Sequence, residues 1–265
     1  MQTATMYSPR QPFFESSCGS FLSSPGLPGS AVYQYYSLCK SSDPRKNMIA
    51  VPDGTVDILF NCSVDAPGAW VCGSVKHGKI VQIEEGTLYF GVRFFPAAAE
   101  RILNTHLDQF TDREVPLLEV NRRAGFLLDL VSSADSFASR IHLFEEFCEM
   151  SAGDTNPLPM IVGYMLKEMH AVHGEVRIQD LEHKTGYSAR HLNNIFKKHV
   201  GTTPKFYTRV MRFQHIFDVM TRSGCLADYS DLAEEAGYYD QAHFINEFKD
   251  FALSTPKKIF CQYNA

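Results

Sequence analysis

The side chains best suited to recognition chemistry lie on the outer faces of two short helical patterns near the end of the chain. Arginine, asparagine and glutamine match the donor and acceptor groups that base edges present in the major groove of DNA. The residues predicted to contact bases are Arg190, Asn193 and Asn194 in the first pattern, and Gln241, Ala242 and Asn246 in the second. Because any solvated helix exposes polar residues, one such face alone would not indicate DNA binding.

Matching surroundings make the two patterns a repeat. Gly186 and Gly237 suit a tight turn between two helices, where one residue often has a positive φ. Ser188 and Asp240 follow them as N-caps that accept free backbone N–H groups. The residues predicted to face inward, by their helical spacing, are Leu192, Ile195, Phe196 and His199 in the first helix and Phe244, Phe248 and Phe251 in the second. Each copy is therefore predicted to form a helix-turn-helix unit.

A second group of residues suits contacts with the phosphate backbone. Lysine supplies charge without reading sequence, and the free N–H groups of a helix N-terminus can bind a phosphate. The predicted phosphate contacts are Ser188, Lys197, Lys198, Thr203, Lys205, Lys249, Thr255 and Lys257, with Lys258 beside them. For each lysine the alternative is a solvated surface charge.

The segment between the two units is predicted to be one long helix from Pro204 to Met220, with Thr203 as its N-cap. Its apolar residues are spaced by four, three, four and three positions, which is typical of a buried helical stripe. Two recognition helices that read successive major grooves on one DNA face must lie about 34 Å apart. A rigid helix between them would keep that separation.

The residue order across both units resembles the C-terminal DNA-binding domain of AraC/XylS-type transcription regulators. The first unit has D-L, G-Y-S, H-L, F-K-K and G-T-T-P within residues 180–204, and the second has D-L-A, G-Y, H-F, F-K and S-T-P within residues 231–256. The resemblance covers about the last hundred residues. It implies a sequence-specific regulator that binds promoter or operator DNA.

The distribution of charge along the chain indicates how tightly it can bind DNA. The chain of 265 residues has a net charge of −5 and is 45% apolar. From residue 158 onward there are 13 basic and 12 acidic side chains, a balance of +1, so the remainder carries −6. Non-specific affinity for phosphate should therefore be modest and salt-sensitive.

Seven cysteines without any CxxC pair disfavour a disulfide framework or a zinc site and suit a reducing cytoplasm.

The first part of the chain has the pattern of a small β-domain. Residues 1–30 are rich in Ser, Pro and Gly and should contain little regular structure beyond a short extended piece. Strands are predicted at 31–39, 55–61, 70–75, 79–83 and 87–94, with a hairpin at His77-Gly78. Such spacing suggests a small antiparallel barrel or sandwich. The string GVRFFPAAA at residues 91–99 resembles the end of the cupin-like domain of some regulators of this family.

Two interpretations of this β-domain remain open. Its interior either binds a small-molecule effector or is filled and serves only for dimerisation or contact with another protein. The effector pocket is predicted to be lined by Phe60, Trp70, Tyr89 and Phe94. After Pro96 the spacing of apolar residues becomes helical. The apolar stripes up to residue 150 either pack on the barrel or, as the resemblance implies, form a homodimer interface within residues 119–150.

The chain is predicted to be an α+β protein of two domains. A cupin-like barrel with an αα-hairpin occupies residues 1–150, a linker follows at 151–159, and an all-α double helix-turn-helix domain occupies residues 160–265. The predicted partners are double-stranded DNA, a second protomer, a small-molecule effector and RNA polymerase. No enzyme signature, cofactor, metal site, membrane segment or targeting signal is predicted. His77, His106 and His142 are the only histidines before the linker, and no pair of them has ligand-like spacing. The expected location is the cytoplasm.

Overall fold

The computed structural model describes residues 7–43, 47–151, 157–223, 233–234, 237–238 and 240–263. Its helices are α1 (Pro12–Ser17), α2 (Glu100–Leu103), α3 (Leu117–Val120), α4 (Ala124–Ser133), α5 (Phe137–Ser151), α6 (Met160–Ala171), α7 (Ile178–Thr185), α8 (Ala189–Val200), α9 (Pro204–Ser223), α10 (Gln241–Ala252) and α11 (Pro256–Tyr263). Its strands are β1 (Cys18–Pro25), β2 (Val32–Lys40), β3 (Ile49–Ala50), β4 (Asp57–Asn61), β5 (Gly68–Cys72), β6 (Lys79–Ile80), β7 (Leu88–Phe94) and β8 (Glu114–Pro116).

The strands form an N-terminal antiparallel β-domain. Six of them make one sheet in the order β1-β2-β7-β4-β5-β8, and β3 pairs with β6 in a separate two-stranded ribbon. Among the strands that the structure describes, β1 and β8 are the two edges of the large sheet and do not pair with each other. Helices α6 to α11 make the C-terminal domain. The predicted α+β class, with a β-domain before a helical domain, is confirmed.

The two faces of the large sheet have different coverings. The side chains of successive residues of a strand point to opposite faces of the sheet, so Leu59 and Phe60 of β4 lie on different faces. Phe60 belongs to an apolar core with Phe94 and with Phe144 of α5. Leu59 instead packs with residues that include Tyr36 and Tyr89, on the face that the β3–β6 ribbon covers.

Two predictions about the β-domain are wrong. No hairpin forms at His77-Gly78, because β5 pairs with β4 and β8 while β6 pairs with β3. The Gly78 N–H instead donates to the carbonyl oxygen of Asp250 in the other domain, at 2.9 Å. The segment before Ser30 also has more regular structure than predicted. It contains α1 and an eight-residue strand, β1, which is held by backbone bonds to β2 although most of its side chains stay exposed.

The helices α4 and α5 pack their apolar stripes on the sheet. Leu127 and Val131 of α4 and Phe144 of α5 are buried in the same core as Phe60. This is one of the two roles considered for these stripes. The α5 helix ends at Ser151 and α6 begins at Met160, so the position of the domain boundary at 151–159, part of which lies outside the described residues, stays a prediction.

The C-terminal domain is built around α9, the predicted spacer helix. Phe213 of α9 lies 5.2 Å from Phe248 and 5.3 Å from Phe251 of α10, measured between ring centroids. The same core also contains Phe13 and Val51 of the β-domain. The two domains therefore share a continuous apolar contact. None of the helices in the described residues is long and apolar enough to cross a membrane.

Candidate nucleic-acid interface

The first helix-turn-helix unit has the predicted local structure. The α7 helix ends at Gly186, which has a φ of 73°. Ser188 caps α8, because its side-chain oxygen accepts the backbone N–H of His191. Leu192 and Phe196 are buried, and they orient the helix by packing against the domain core. The predicted turn, cap and inward face of this unit are confirmed.

Most of the predicted base-contacting side chains of α8 point away from the core. Arg190 and Asn194 are exposed, as is Lys197 one turn further along. Asn193 is half-buried, and its amide nitrogen donates to the carbonyl oxygen of Ala189 in the preceding turn at 2.8 Å. Arg190 and Asn194 are thus free to reach a ligand, whereas Asn193 would first have to give up this bond with its amide group.

The second unit repeats the arrangement at α10. Gly237 has a φ of 68°, and the Asp240 carboxylate accepts the backbone N–H of His243 at 2.7 Å. The three predicted base-contacting residues, Gln241, Ala242 and Asn246, are all exposed. The first helix predicted for this unit, from Asp231, lies for the most part outside the described residues.

The residues predicted to contact phosphate lie at the surface around these helices. Those that are exposed are Ser188, Lys197, Lys198, Thr203, Lys205, Lys249, Lys257 and Lys258, and Thr255 is half-buried. Thr203 and Thr255 accept the backbone N–H groups of Phe206 and Lys258, each at 3.3 Å, at the starts of α9 and α11. They therefore serve as N-caps in the free protein.

A buried carboxylate fixes α10 to α9, and no local sequence pattern indicates it. Glu247 is buried on the inner side of α10 and accepts hydrogen bonds from Arg209 at 2.6 Å and from the Tyr238 hydroxyl at 2.8 Å. Burial, together with the nearby Glu247 carboxylate, raises the pKa of Tyr238 above its usual range, so the phenol stays a donor. Arg212 lies over the Tyr238 ring and donates to the carbonyl oxygen of Gly237. These bonds orient the second recognition helix against the spacer helix.

The C-terminal ends of both recognition helices contact the β-domain. The Thr111 hydroxyl donates to the carbonyl oxygen of Gly201, which ends α8, at 2.7 Å. At the end of α10, His77 pairs with the carboxylate of Asp250 at 2.7 Å, beside the bond from Gly78 to the same residue. The β-domain therefore holds the two helices at the ends opposite to Arg190 and Gln241.

The β-domain also contains a partly open cavity of about 320 Å³ between the large sheet and the β3–β6 ribbon. Trp70 and Tyr89, two of the four residues predicted to line a pocket, are part of its wall. Phe60 and Phe94 are not, because they lie on the opposite face of the sheet in the core with α5. The alternation of side chains along each strand decides this difference, and the sequence alone does not indicate which face the helices cover.

A buried ion pair forms part of the cavity wall. Arg93 donates to both carboxylate oxygens of Asp57, at 3.0 and 2.8 Å, and lies 3.7 Å from Asp53. Its guanidinium group also lies over the rings of Phe14 and Tyr36. Burial raises the pKa of Asp57, and the Arg93 charge opposes that shift. The pair gives a mostly apolar cavity one strongly polar end.

Comparison with known proteins gives a family match within each of the two domains. Residues 181–261 match the family described as a helix-turn-helix domain, and residues 29–116 match a domain of unknown function, DUF6597. The lactose operon transcription activator of Staphylococcus xylosus is 29% identical over 80 residues, which is 30% of this chain and 28% of that protein. The chain thus spans less than a third of that relative.

Solved structures of ToxT from Vibrio cholerae also resemble the chain. An apo variant of ToxT aligns with a TM-score of 0.43 at 10% identity, and the alignment covers 92% of this chain and 93% of the ToxT chain. A second ToxT structure has a TM-score of 0.42 at 10% identity, with 92% and 97% covered. With its two turns, two caps and two buried aromatic faces, the segment at residues 181–261 is a helix-turn-helix domain, and its motifs are similar to those of AraC/XylS-type regulators.

Proposed function

We propose that the chain is a sequence-specific transcription regulator that reads two successive major grooves of promoter DNA with α8 and α10. The observation that supports this most directly is the pair of N-capped helices with exposed polar residues at their N-terminal ends. Side chains near the N-terminus of a recognition helix are the ones that reach base edges in helix-turn-helix complexes. The apolar contacts of α9 with α10 support its role as a rigid spacer.

In this proposal, the exposed residues have separate roles. Arg190, Asn193 and Asn194 read bases from α8, while Gln241, Ala242 and Asn246 read them from α10. The lysines contact phosphate and position the helices without reading sequence. Because the C-terminal domain has a nearly balanced charge, neither unit alone would bind tightly, and the two units act together. Binding to chromosomal DNA would place this activity in the cytoplasm.

We further propose that a small molecule in the β-domain cavity controls DNA binding. A volume of about 320 Å³ is at the lower end of the usual range for ligand pockets. The wall combines Tyr36, Leu59 and Trp70 with the Arg93–Asp57 pair, so it suits a small, largely apolar molecule with one polar group. A cavity of this size favours effector binding over the alternative of a filled domain that serves only for assembly.

The cavity wall continues directly into the contacts with the recognition helices. Asp112 and Val75 line the cavity, while Thr111, next to Asp112, and His77, two residues after Val75, contact the ends of α8 and α10. The Lys76 backbone N–H donates to Asp112 at 2.7 Å and joins the two segments. A ligand that moves this wall would therefore change how the two helices are held. Effector and DNA binding would be linked through this coupling.

The DNA-binding proposal is tested by selecting binding sites from random duplex DNA with the full-length protein. We expect enrichment of a site with two half-sites about one helical turn apart, bound more tightly than unrelated DNA of equal length. Enrichment of no sequence, or of one short half-site only, would contradict reading by two helices.

The effector proposal is tested by a thermal-shift screen of the full-length protein against small metabolites. A Leu59→Trp variant, in which the larger ring enters the cavity, is the control and should lose any shift while keeping DNA binding. A shift that is equal in this variant and in the unmodified protein would place the ligand elsewhere. The absence of any hit in a broad screen would favour the assembly role.

The protein is further proposed to act as a homodimer through residues 119–150 and to contact RNA polymerase at its promoters. Phe126 supports the dimer, because it lies on α4 with 73% of its surface exposed. Two protomers on one promoter would also compensate for the modest charge of each DNA-binding domain.

A further inference from the structure

Three side chains that no DNA contact uses converge where the two domains meet. Glu100 lies in α2 and His106 in the loop that follows, while His199 lies in the last turn of α8. The Nδ1 atoms of the two histidines each lie 2.5 Å from a different oxygen of the Glu100 carboxylate. One ligand atom from each residue lies within 4.8 Å of those of the other two.

The three side chains form a donor set that suits a metal ion. Two imidazoles and one carboxylate are a common ligand set for zinc, and they leave a fourth position for water. Imidazole nitrogen favours late divalent transition metals, whereas magnesium and calcium prefer oxygen ligands. We propose that Glu100, His106 and His199 bind a divalent transition metal ion of the zinc class.

The surroundings of the site agree with this assignment. Glu100 and His199 are largely shielded, with 18% and 13% of their side-chain surfaces exposed, while His106 is 42% exposed and provides access from solvent. His199 lies at the C-terminal end of α8, where the helix dipole favours a positive charge. Binding requires that the Nδ1 protons leave, because metal ligands must be deprotonated. It also requires the side chains to move slightly apart, because two ligand atoms at about 2.0–2.2 Å from a tetrahedral zinc ion lie further from each other than the 2.5 Å between each Nδ1 and the carboxylate.

The position of the site gives the ion a structural effect. Glu100 and His106 belong to the β-domain, whereas His199 belongs to the first recognition helix. An ion bound by all three would tie the end of α8 to the β-domain, next to the bond between Thr111 and Gly201. Metal binding at this site does not depend on DNA binding, so it can be measured on the protein alone.

The experiment titrates cobalt(II) and zinc(II) into the full-length protein, purified with chelator and then freed of it. Cobalt should give the weak visible bands of a site with nitrogen and oxygen ligands, and zinc should displace it with one equivalent bound. His106→Gln and Glu100→Gln should each weaken zinc binding by at least about a hundredfold in competition with a chelating dye. His183→Gln, which alters an exposed histidine of α7, is the matched control and should bind as the unmodified protein does.

Sulfur-to-cobalt charge-transfer bands would assign binding to cysteines, and equal zinc affinity in all four proteins would place the ion at another site. Either outcome would overturn the proposal. So would stoichiometric binding of magnesium in place of zinc. Hydrogen–deuterium exchange gives a readout that does not depend on spectra or on variant stability. Zinc should slow exchange in peptides that contain residues 100–111 and 197–201 of the unmodified protein, and unchanged exchange there would contradict the bridging role.

Discussion

The Thr111 hydroxyl lies 2.7 Å from the carbonyl oxygen of Gly201, the residue that ends the first recognition helix. The next residue, Asp112, has a φ of 57° and lines the cavity of the β-domain. One short segment thus contacts α8 with one residue and lines the cavity with the next. In the proposed function, the effector site and a contact that holds α8 are therefore only one peptide unit apart at this point.

Thr111→Val should loosen the hold of the β-domain on α8. The substitution removes the donor to Gly201 at nearly constant side-chain volume, so the expected loss is about 1 kcal/mol of unfolding free energy. Hydrogen–deuterium exchange of residues 189–201 should become faster, while exchange of α10 stays unchanged. Thr87→Val, at a threonine whose hydroxyl donates to Glu84 within the β-domain, is the control. Equal protection of α8 in both variants would show that this bond does not hold the helix.

Arg190→Ala should abolish the preference for a selected DNA site and leave weak, salt-dependent binding. An arginine that contacts a guanine with two hydrogen bonds contributes about 1–3 kcal/mol of discrimination. Lys197→Ala is the contrasting variant, because loss of one phosphate contact should weaken binding to all sequences and lower the salt slope by about 0.9. Both are measured by competition gel shift. Site preference that survives in Arg190→Ala would remove this residue from the base-reading set.

Arg93→Met should strongly destabilise the β-domain. It leaves the Asp57 carboxylate buried without its partner, and breaking a buried pair in this way costs about 3–5 kcal/mol. Lys79→Met, which breaks the exposed pair of Lys79 with Glu114, should cost no more than about 1 kcal/mol. Urea unfolding measures both values. Similar losses in the two variants would mean that the buried pair adds nothing beyond a surface contact.

The loss in Arg93→Met should also depend on pH. Burial already raises the pKa of Asp57, and removal of Arg93 takes away the charge that opposes the shift. A carboxyl whose pKa is higher in the folded state than in the unfolded state is stabilising at low pH, and that stability is lost as pH rises through the folded pKa. The difference between the two proteins should therefore widen from acid to neutral pH.

His170 should make the protein sensitive to mild acid. Burial, with a smaller contribution from His173, lowers the pKa of His170 from 6.5 to about 4. A base with a depressed folded pKa contributes stability above its unfolded pKa, and this stability is lost as pH falls from 6.5 towards 4. His170 Nε2 lies 2.8 Å from the Tyr207 hydroxyl, which glutamine could also reach. His170→Gln should thus flatten the pH profile of urea unfolding in this window, and an unchanged slope would exclude His170 as its cause.

Local sequence signals predicted the DNA-binding units well. The turn at Gly186, the cap at Ser188 and the buried Phe196 depend on residues within one short segment, so pattern and structure agree. The outer face of α8 was predicted for the same reason. Only Asn193 differs in detail, because its amide group bonds to the preceding turn, which helical spacing does not reveal.

Contacts between distant segments account for what the sequence did not predict. The His77-Gly78 dipeptide has the composition of a hairpin turn, but its partners lie at Asp250 in the other domain. The ligand set of Glu100 and His106 is completed by His199, which helical spacing indicated only as an inward-facing residue. No rule based on neighbouring residues would join positions separated by 99 residues.

Phe126→Glu should convert the proposed homodimer to a monomer. The inner face of α4 is occupied by Leu127 and Val131, which pack on the sheet, so the 73% exposed Phe126 ring adds little to the core of one protomer. A charge at so exposed a position should change the unfolding free energy by no more than about 0.5 kcal/mol. A buried dimer contact, in contrast, would not accept it. Leu27→Glu, at a residue that is 56% exposed before β2, is the control and should leave the oligomeric state unchanged. Sedimentation velocity of the full-length proteins at tens of micromolar distinguishes the outcomes, and a monomeric unmodified protein would rule out the homodimer interface.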